Sequence, residues 1–344
     1  MPVLSRVGLM SLLGLLLVFV FSAFVYAQTG TTPPPASRPT SPTSVISEPG
    51  NQTKQPTTPS TPCTCTYTPP TKPKSAGPRA DGKMRILICV NTAASRIERR
   101  ALIRQTWASP ERRPDNVDVM FVVGESTGVA QPGDLEIRPN LDLSGLQPIW
   151  NIAAKDEARV YGDILLLPIP ENGQNGKVYN LFKYVYENMP GRYDMVFKAD
   201  DDTYMQLDRV VAELEGKEPL GIYYGYRYLD YMAGWLAGVS WDLVKFIATD
   251  PRIPSMIVGH EDLLMGKWLH LDNDLIKQWF NFGPPKIHDQ IWGGINDPMD
   301  WSPKTFCIHR VKKPEHFLYF AELDHNERHP EDPIAVHRPT GTGK

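Results

Sequence analysis

The sequence predicts an α/β fold built on a mainly parallel, Rossmann-type sheet with helices on both faces. Between residues 85 and 215, short apolar runs alternate with segments whose apolar residues recur at helical spacing. This alternation is typical of βαβ units, in which helices cover both sides of the sheet. The chain has 344 residues, of which 41% are apolar and 22% charged, so it is large enough to build a sizeable core.

The N-terminal segment differs from the rest of the chain. Residues 7–27 carry no charge, follow Arg6 and are long enough to span a bilayer. The positive-inside rule predicts a signal anchor with a cytosolic N-terminus and a lumenal remainder. A cleaved signal peptide is the competing interpretation, because residues 25–27 (Val-Tyr-Ala) resemble a small-residue cleavage site. In either case the remainder is expected to enter the secretory pathway.

Residues 28–83 are predicted to form a disordered stalk. They contain 13 of the 33 prolines, many serines and threonines, and almost no large apolar residues. Such a segment buries too little surface to offset its ordering entropy, and its prolines favour extended polyproline II structure. The composition suits O-glycosylation, and Asn51 begins the single N-glycosylation sequon of the sequence. An unmodified spacer is the alternative.

The predicted folded domain spans residues 84–320, followed by a polar tail at 321–344 that we expect to be disordered from about Glu322. Strands are expected at 85–90, 117–124, 163–170 and 193–199, and helices at 95–107, 149–162, 177–189 and 208–215. Beyond residue 216 the alternation breaks. There we expect one added strand at 221–228, helices at 240–250 and 259–271, and otherwise irregular structure.

Charge and cysteine usage exclude some classes of function. A formal net charge of −3 provides no basic excess, which argues against a nucleic-acid-binding protein. Of the four cysteines, Cys63 and Cys65 lie in the stalk, whereas Cys89 and Cys307 lie in apolar runs. An oxidising lumen permits disulfides, but the sequence leaves their pairing open. The sequence has no GxGxxG after the first strand and no GxSxG motif.

Three consecutive aspartates, Asp200 to Asp202, follow the fourth predicted strand. Ligands of open α/β sheets bind beyond the carboxyl ends of the strands. Carboxylates crowded at such a place repel one another, and a hard cation such as Mg²⁺ or Mn²⁺ removes that cost. The sequence therefore predicts a metal site here. A solvated acidic turn or a helix cap is the alternative.

Two later features are candidates for the same site. His309 follows the apolar run TFCI, so its imidazole is a candidate third metal ligand, although a lone histidine is commonly a core or surface residue. Glu261 and Asp262 open a predicted helix, where a carboxylate either caps the helix or serves as a general base. Arg96, Arg100 and Arg104 are spaced by four and form one basic stripe, for which a solvated helix face is the alternative.

These motifs, in this order, resemble those of the β1,3-glycosyltransferases of family 31. The matching segments are ERRALIRQTW (98–107), KADDDTY (198–204), AGWLAGVSWDLV (233–244) and GHEDLLMG (259–266). The family includes β1,3-galactosyltransferases, β1,3-N-acetylglucosaminyltransferases and the Fringe enzymes. The resemblance covers roughly residues 84–320. It implies a GT-A-like fold on a single-pass type II protein of the Golgi membrane, with a lumenal catalytic domain; secretion after signal cleavage is the alternative.

The resemblance also implies roles for individual residues. The metal, Mn²⁺ or Mg²⁺, would be held by Asp200, Asp202 and His309. Asp262 matches the catalytic base. The residues implied to bind the nucleotide-sugar are Lys198, Arg100, Arg104, Asp200 and Asp201. For Asp201 the role stays open between capping, pairing with a basic residue and touching the donor sugar.

The implied function is that of an inverting hexosyltransferase. It would move galactose or N-acetylglucosamine from a UDP-sugar to the 3-hydroxyl of a glycan on a glycoprotein or glycolipid. Trp235, Tyr224 and Tyr231 are candidates for a sugar platform, with core packing as the alternative. Ala199 replaces the family's threonine and Leu263 its valine. A catalytically inactive lumenal glycan-binding or chaperone protein, and a metal-dependent hydrolase, are the competing interpretations.

Overall fold

The computed structural model describes residues 82–126, 147–289 and 301–339. The predicted anchor and nearly all of the predicted stalk, with Cys63 and Cys65, lie outside the described residues. The anchor, the stalk and the domain boundaries therefore remain predictions. Within the part of the chain that the structure describes, no helix is both long and apolar enough to cross a bilayer.

Ten strands are found in the described ranges. They are β1 (Ile86–Asn91), β2 (Val117–Glu125), β3 (Ile164–Pro170), β4 (Met195–Asp200), β5 (Tyr204–Met205), β6 (Ile222–Tyr228), β7 (Tyr231–Ser240), β8 (Gln278–Asn281), β9 (Ile287–Asp289) and β10 (Cys307–His309). Seven of them form one sheet in the order β3-β2-β1-β4-β7-β6-β8. Only β7 runs against its neighbours. The predicted mainly parallel α/β sheet is confirmed.

Seven α-helices accompany the strands in the described residues. They are α1 (Ile97–Gln105), α2 (Gln147–Tyr161), α3 (Lys177–Asn188), α4 (Leu207–Ala212), α5 (Trp241–Thr249), α6 (Glu261–Leu269) and α7 (Pro314–Arg328). The first six coincide with predicted helices to within a few residues. This agreement follows from their apolar periodicity, which is a local property of the sequence.

The helices cover both faces of the sheet, as the alternation along β1 shows. Ile86, Ile88 and Val90 belong to one buried cluster, which also contains side chains of α1, α4 and α7. Leu87 and Cys89 belong to a second cluster, which contains side chains of α3, α5 and α6. Successive strand residues point to opposite faces, so β1 is buried on both sides at the centre of the molecule.

The region after residue 216 is more regular than expected. β7 was not predicted as a strand, because Gly234 and Gly238 lower the strand propensity of its sequence. The structure explains Gly238: a Cβ added there would lie 2.3 Å from the ring of Phe197. A second sheet, in the order β5-β10-β9, also lies in the segment expected to be irregular.

The expectation of disorder from about Glu322 is wrong for the first part of the tail. Helix α7 continues to Arg328 and therefore crosses the predicted domain boundary. Its buried anchors are Phe317 and Phe320, and Asp324 is only 2% exposed. Arg328 donates to Asp324 at 2.7 Å, and Arg112 lies 3.3 Å from it. Part of the buried face of α7 is therefore charged. This weakens the apolar periodicity from which a helix is predicted.

The strand order indicates where a ligand-binding site is expected. β1 is followed by β2 and β3 on one side of the sheet and by β4 on the other, so the direction of connection switches between β1 and β4. Asn91 and Asp200, the last residues of these strands, lie opposite each other in register. Ligands of doubly wound sheets bind at such a switch point, beyond the carboxyl ends of the strands.

Candidate active site

Asp200, Asp202 and His309 come together at the carboxyl end of β4. One ligand atom from each lies within 4.8 Å of the others. Asp200 ends β4 in the large sheet and His309 ends β10 in the small sheet. The amide of Val311 donates to the Asp202 carbonyl at 2.7 Å and ties the two segments together. The residues predicted to form the metal site are therefore neighbours in space.

His309 is held by groups on two sides. Its Nδ1 lies 2.9 Å from an Asp289 oxygen, and its Nε2 lies 3.4 Å from an Asp202 oxygen. The ring stacks on Trp235, with centroids 4.6 Å apart and planes 17° apart. In metal-binding histidines, a carboxylate commonly contacts one ring nitrogen and so orients the other toward the metal. His309 has this arrangement, with Asp289 at Nδ1 and Asp202 near Nε2.

The titration of the cluster reflects its crowding. Burial raises the pKa of Asp200 to about 7; Lys198 lowers it, and the nearby Glu261 and Asp202 carboxylates add to the rise. Burial lowers the pKa of His309, but hydrogen bonding and charge at Asp202 outweigh this and raise it above its ordinary value. A carboxylate that resists ionisation among like charges is a place where a cation would be stabilised.

The donor set fits a hard divalent cation. Two carboxylates and one imidazole, without a thiolate, suit Mn²⁺ or Mg²⁺ better than soft metals. Such cations commonly keep ligand positions for water or substrate phosphate, which three protein ligands leave available. Asp289 supplies the carboxylate that fixes the imidazole. The residues present therefore fit the predicted metal.

Asp201 has partners of its own. Thr92 Oγ1 donates to one carboxylate oxygen at 2.7 Å, and Arg96 donates to the other at 3.0 Å. The side chain is only 7% exposed. Of the three roles left open by the sequence, pairing with a basic residue is the one the structure shows. Asp201 thereby ties the end of β4 to the loop after β1, and both of its oxygens are engaged by protein groups.

Lys198 is buried beneath three carboxylates, and its side chain is 1% exposed. Its Nζ lies 2.7 Å from Asp200 Oδ1, contacts Glu261 and lies 3.8 Å from Asp262 Oδ1. Burial lowers the pKa of this ammonium, but the three carboxylates outweigh burial and raise the pKa above its usual value. The contact with the donor stays a prediction; in the structure the ammonium is enclosed by protein carboxylates and links Asp200 to Asp262.

Asp262 lies in the first turn of α6, directly beside β7. Its Oδ2 accepts a hydrogen bond from the Gly234 amide at 2.9 Å. A Cβ added at Gly234 would lie 2.0 Å from Asp262 Oδ1 and 2.6 Å from Lys198 Nζ. Only glycine leaves room for both groups. Sequence reasoning missed Gly234, although a glycine inside a strand is itself a sign of a close approach.

Asn91 is a second residue that the sequence did not reveal. It ends β1, and its Nδ2 lies 3.4 Å from a Glu261 oxygen. Its Oδ1 is buried and has no hydrogen-bond partner among the residues that the structure describes. An asparagine at a strand end has no sequence signal of its own, so only the strand register brings it to the site.

Arg100 and Arg104 are engaged elsewhere. Arg100 is fully buried and donates to Glu157 and to the carbonyls of Ala93 and Ala94. Arg104 donates to Glu157 at 2.6 Å and to Asp163 at 2.8 Å. The nucleotide contact implied for Arg100 stays a prediction, but the structure leaves this side chain no exposed surface with which to contact a ligand. Both arginines instead fasten α1 to α2.

Comparison with proteins of known function finds β1,3-glycosyltransferases. Mouse beta-1,3-galactosyltransferase 6 is 27% identical over 238 residues, which cover 60% of this chain and 66% of that protein. A mouse acetylgalactosaminyl-O-glycosyl-glycoprotein beta-1,3-N-acetylglucosaminyltransferase is 32% identical over 152 residues, 43% of this chain and 34% of that protein. The predicted resemblance to β1,3-glycosyltransferases is confirmed. The chain spans about one third to two thirds of the length of these relatives.

No family model matches the chain. Among solved structures, a mannosyltransferase from Pyrobaculum calidifontis in complex with GDP-Man and Mn²⁺ is 15% identical, at a TM-score of 0.37. That match covers 77% of this chain and 69% of the other. The similarity is too low to bear on function.

Proposed function

We propose that this protein is an inverting β1,3-hexosyltransferase with a GT-A-like fold. It transfers galactose or N-acetylglucosamine from a UDP-sugar to the 3-hydroxyl of a glycan acceptor, carried by a glycoprotein or glycolipid. The observation that carries the proposal is the connection of two groups: Lys198 contacts both the Asp200 end of a cation site and the Asp262 carboxylate. The similarity to β1,3-glycosyltransferases supports the class of substrate.

Asp262 is the general base in this proposal. Its side chain is 34% exposed, so an acceptor can reach it, and the Gly234 amide and Lys198 hold the carboxylate in place. A positioned carboxylate accepts the proton of the 3-hydroxyl as that oxygen attacks the anomeric carbon. The new carbon–oxygen bond forms as the bond to UDP breaks on the opposite face, so the configuration inverts.

The donor diphosphate is placed at the cluster of Asp200, Asp202 and His309. These residues would hold Mn²⁺ or Mg²⁺, which when bound offsets the negative charge that develops on the departing diphosphate. Asp289 orients the imidazole, and Asp201 fixes the end of β4 through Thr92 and Arg96. The cluster and the base are thus held by neighbouring protein groups before substrate arrives.

We further propose that the protein acts in the Golgi, attached to the membrane through residues 7–27 with its catalytic domain in the lumen. The uncharged N-terminal segment, which follows Arg6, supports this orientation in the membrane. Secretion after signal cleavage is the alternative. The two alternatives are distinguished by the mass of the chain after its translation in the presence of microsomes, because only signal cleavage shortens the chain.

Mn²⁺-dependent release of UDP from a panel of UDP-sugars, with and without glycan acceptors, tests the proposal. We expect Asp262→Asn to retain UDP binding but to lower turnover by about 10²- to 10⁴-fold, because proton transfer to the base is lost. We expect Asp202→Ala to remove the response to Mn²⁺. Asp274→Asn, an exposed carboxylate beyond α6, is the matched control and should leave turnover unchanged.

Each competing function has its own outcome. Release of UDP that does not require an acceptor would indicate a hydrolase. The absence of turnover with every UDP-sugar would indicate the inactive glycan-binding or chaperone protein. Full turnover by Asp262→Asn would remove Asp262 as the base, and an unchanged Mn²⁺ response in Asp202→Ala would remove the metal assignment.

A further inference from the structure

Four apolar side chains lie at or beside the hairpin between β6 and β7, and the proposed chemistry does not use them. Tyr228, Leu229 and Tyr231 lie at the tip of the hairpin between β6 and β7, and Leu263 lies on α6; together we call them the hairpin patch. Tyr228 is 57% exposed, Leu229 76% and Leu263 40%. The Tyr228 and Tyr231 rings contact each other, with centroids 5.8 Å apart.

The hairpin patch borders the proposed base. A Cβ added at Gly266 of α6 would lie 2.6 Å from Tyr231 Cβ and 2.8 Å from the Asp230 carbonyl, so helix and hairpin are in direct contact. Asp262 and Leu263 precede Gly266 by four and three residues, and residues at these spacings share one helix face. They therefore face the same hairpin. Burial raises the pKa of Tyr231, and the charge of Asp262 adds to the rise.

Leu229 has a backbone conformation that does not suit leucine. Its φ of 58° lies in the left-handed region, where glycine or asparagine is favoured. Arg227 supports this conformation, because its Nε donates to the Leu229 carbonyl at 2.7 Å. The Arg227 guanidinium in turn lies 3.8 Å from the centre of the Trp279 ring. A large apolar side chain is thus exposed to water on a backbone conformation that disfavours it. Strain that the surrounding structure maintains is a sign of function.

We propose that the hairpin patch is the acceptor subsite for an apolar aglycone, the group attached beyond the sugar that reacts at Asp262. The tyrosines offer amphipathic rings suited to the junction between sugar and aglycone, and Leu229 offers a purely aliphatic contact. The hairpin patch lies beside Asp262, where the acceptor must bind in order to react. We therefore assign the patch to the acceptor and not to another apolar ligand. This inference rests on the proposed function.

The test compares two acceptors that share one sugar, its methyl glycoside and its octyl glycoside, the latter below its critical micelle concentration. We expect the wild type to have a KM about tenfold lower for the octyl glycoside, the gain expected from burying a leucine-sized apolar contact. Leu229→Gly and Leu229→Asn should abolish this difference. Both should keep the same kcat and the same KM for the UDP-sugar.

Thermal unfolding separates binding from folding, because glycine and asparagine adopt the observed φ more readily than leucine and should not lower Tm. Leu318→Ala, which removes an exposed leucine from α7, is the control and should keep the octyl preference. An unchanged octyl preference in both Leu229 variants would overturn the subsite. An equal loss of kcat with both glycosides would also overturn it, since the hairpin would then only position Asp262. A wild type that transfers no sugar would overturn the proposed function, and the inference with it.

Discussion

Lys198 connects residues that have different proposed tasks. Its ammonium contacts Asp200, a candidate metal ligand, and lies near Asp262, the proposed base. A buried ammonium offsets the repulsion among these carboxylates, which would otherwise favour their protonated forms. At the scale of single residues, the site therefore depends on one cation of the protein and on the space that Gly234 leaves for it.

Replacing Gly234 tests this dependence. In Gly234→Ala the new methyl group would overlap Asp262 and crowd Lys198, so one of them must move. A displacement of about 1 Å can cost on the order of 10²-fold in rate, and we expect kcat/KM to fall by about that factor. Gly173→Ala is the matched control, because a Cβ added there meets nothing within 4 Å. Equal rates for the two variants would mean that Asp262 does not need its observed position.

Residues of the same type have opposite roles in this site, and the sequence does not separate them. Asp200, Asp201 and Asp202 are consecutive, yet only the first and third join His309. Asp201 accepts hydrogen bonds from Thr92 and Arg96 instead. The backbone accounts for the difference, because β4 ends at Asp200 and the chain turns at Asp201 and Asp202, so the three side chains point in different directions.

Helices α1 and α2 are joined by a group of charged side chains that we call the arginine clasp. It consists of Arg100 and Arg104 on α1, Glu157 on α2 and Asp163 just before β3. Arg100 is 0% exposed, so its charge depends on Glu157 for compensation. At the scale of elements, Arg100 and Arg104 of the basic stripe pair with carboxylates of neighbouring elements and join α1 to α2.

We expect Glu157→Gln to lower the free energy of unfolding at pH 7 by about 3–5 kcal/mol, because it leaves a buried arginine unpaired. Burial raises the pKa of Glu157, but Arg100 and Arg104 outweigh it and hold the pKa below its ordinary 4.5. The contribution of Glu157 is thus present above about pH 4.5 and is lost as pH falls through the lowered folded-state pKa.

Urea unfolding of both proteins from pH 7 to pH 3 checks this prediction. The difference between wild type and variant should shrink in acid, where Glu157 is protonated in both the folded and the unfolded state. Glu187→Gln is the control, since its exposed pairing with Lys183 at 4.0 Å should contribute only a few tenths of a kcal/mol. A pH-independent difference would show that packing of Glu157, and not its charge, stabilises the clasp.

At the scale of the whole molecule, the candidate site lies where the described sheet changes its direction of connection. β1 and β4 meet there, and β7 and the small sheet add Gly234 and His309 from other parts of the chain. Both buried clusters consist of residues between 86 and 320. The described residues therefore form two buried clusters of their own on the two faces of the sheet.

A chain that begins at Gly82 should accordingly fold and keep the turnover of the full chain. Cooperative urea unfolding and UDP release per mole of protein, with the full chain in detergent, provide the measurement. A chain that begins at Asn91 is the control: it lacks most of β1, the central strand, and should not fold. A stable Gly82 chain without activity, beside an active full chain, would show that residues 1–81 contribute to catalysis.

The sequence by itself determined the local features of this protein, namely its secondary structure and its motifs. Periodicity located most strands and helices, and Asp200, Asp202, Asp262 and His309 were all identified as candidates from their positions in motifs. Tertiary structure decided the partners of the charges. Arg100 meets Glu157 57 positions away, and Thr92 meets Asp201 109 positions away. Whether a charged side chain binds a ligand or another residue depends on which groups folding brings within hydrogen-bonding distance, and no local pattern contains that information.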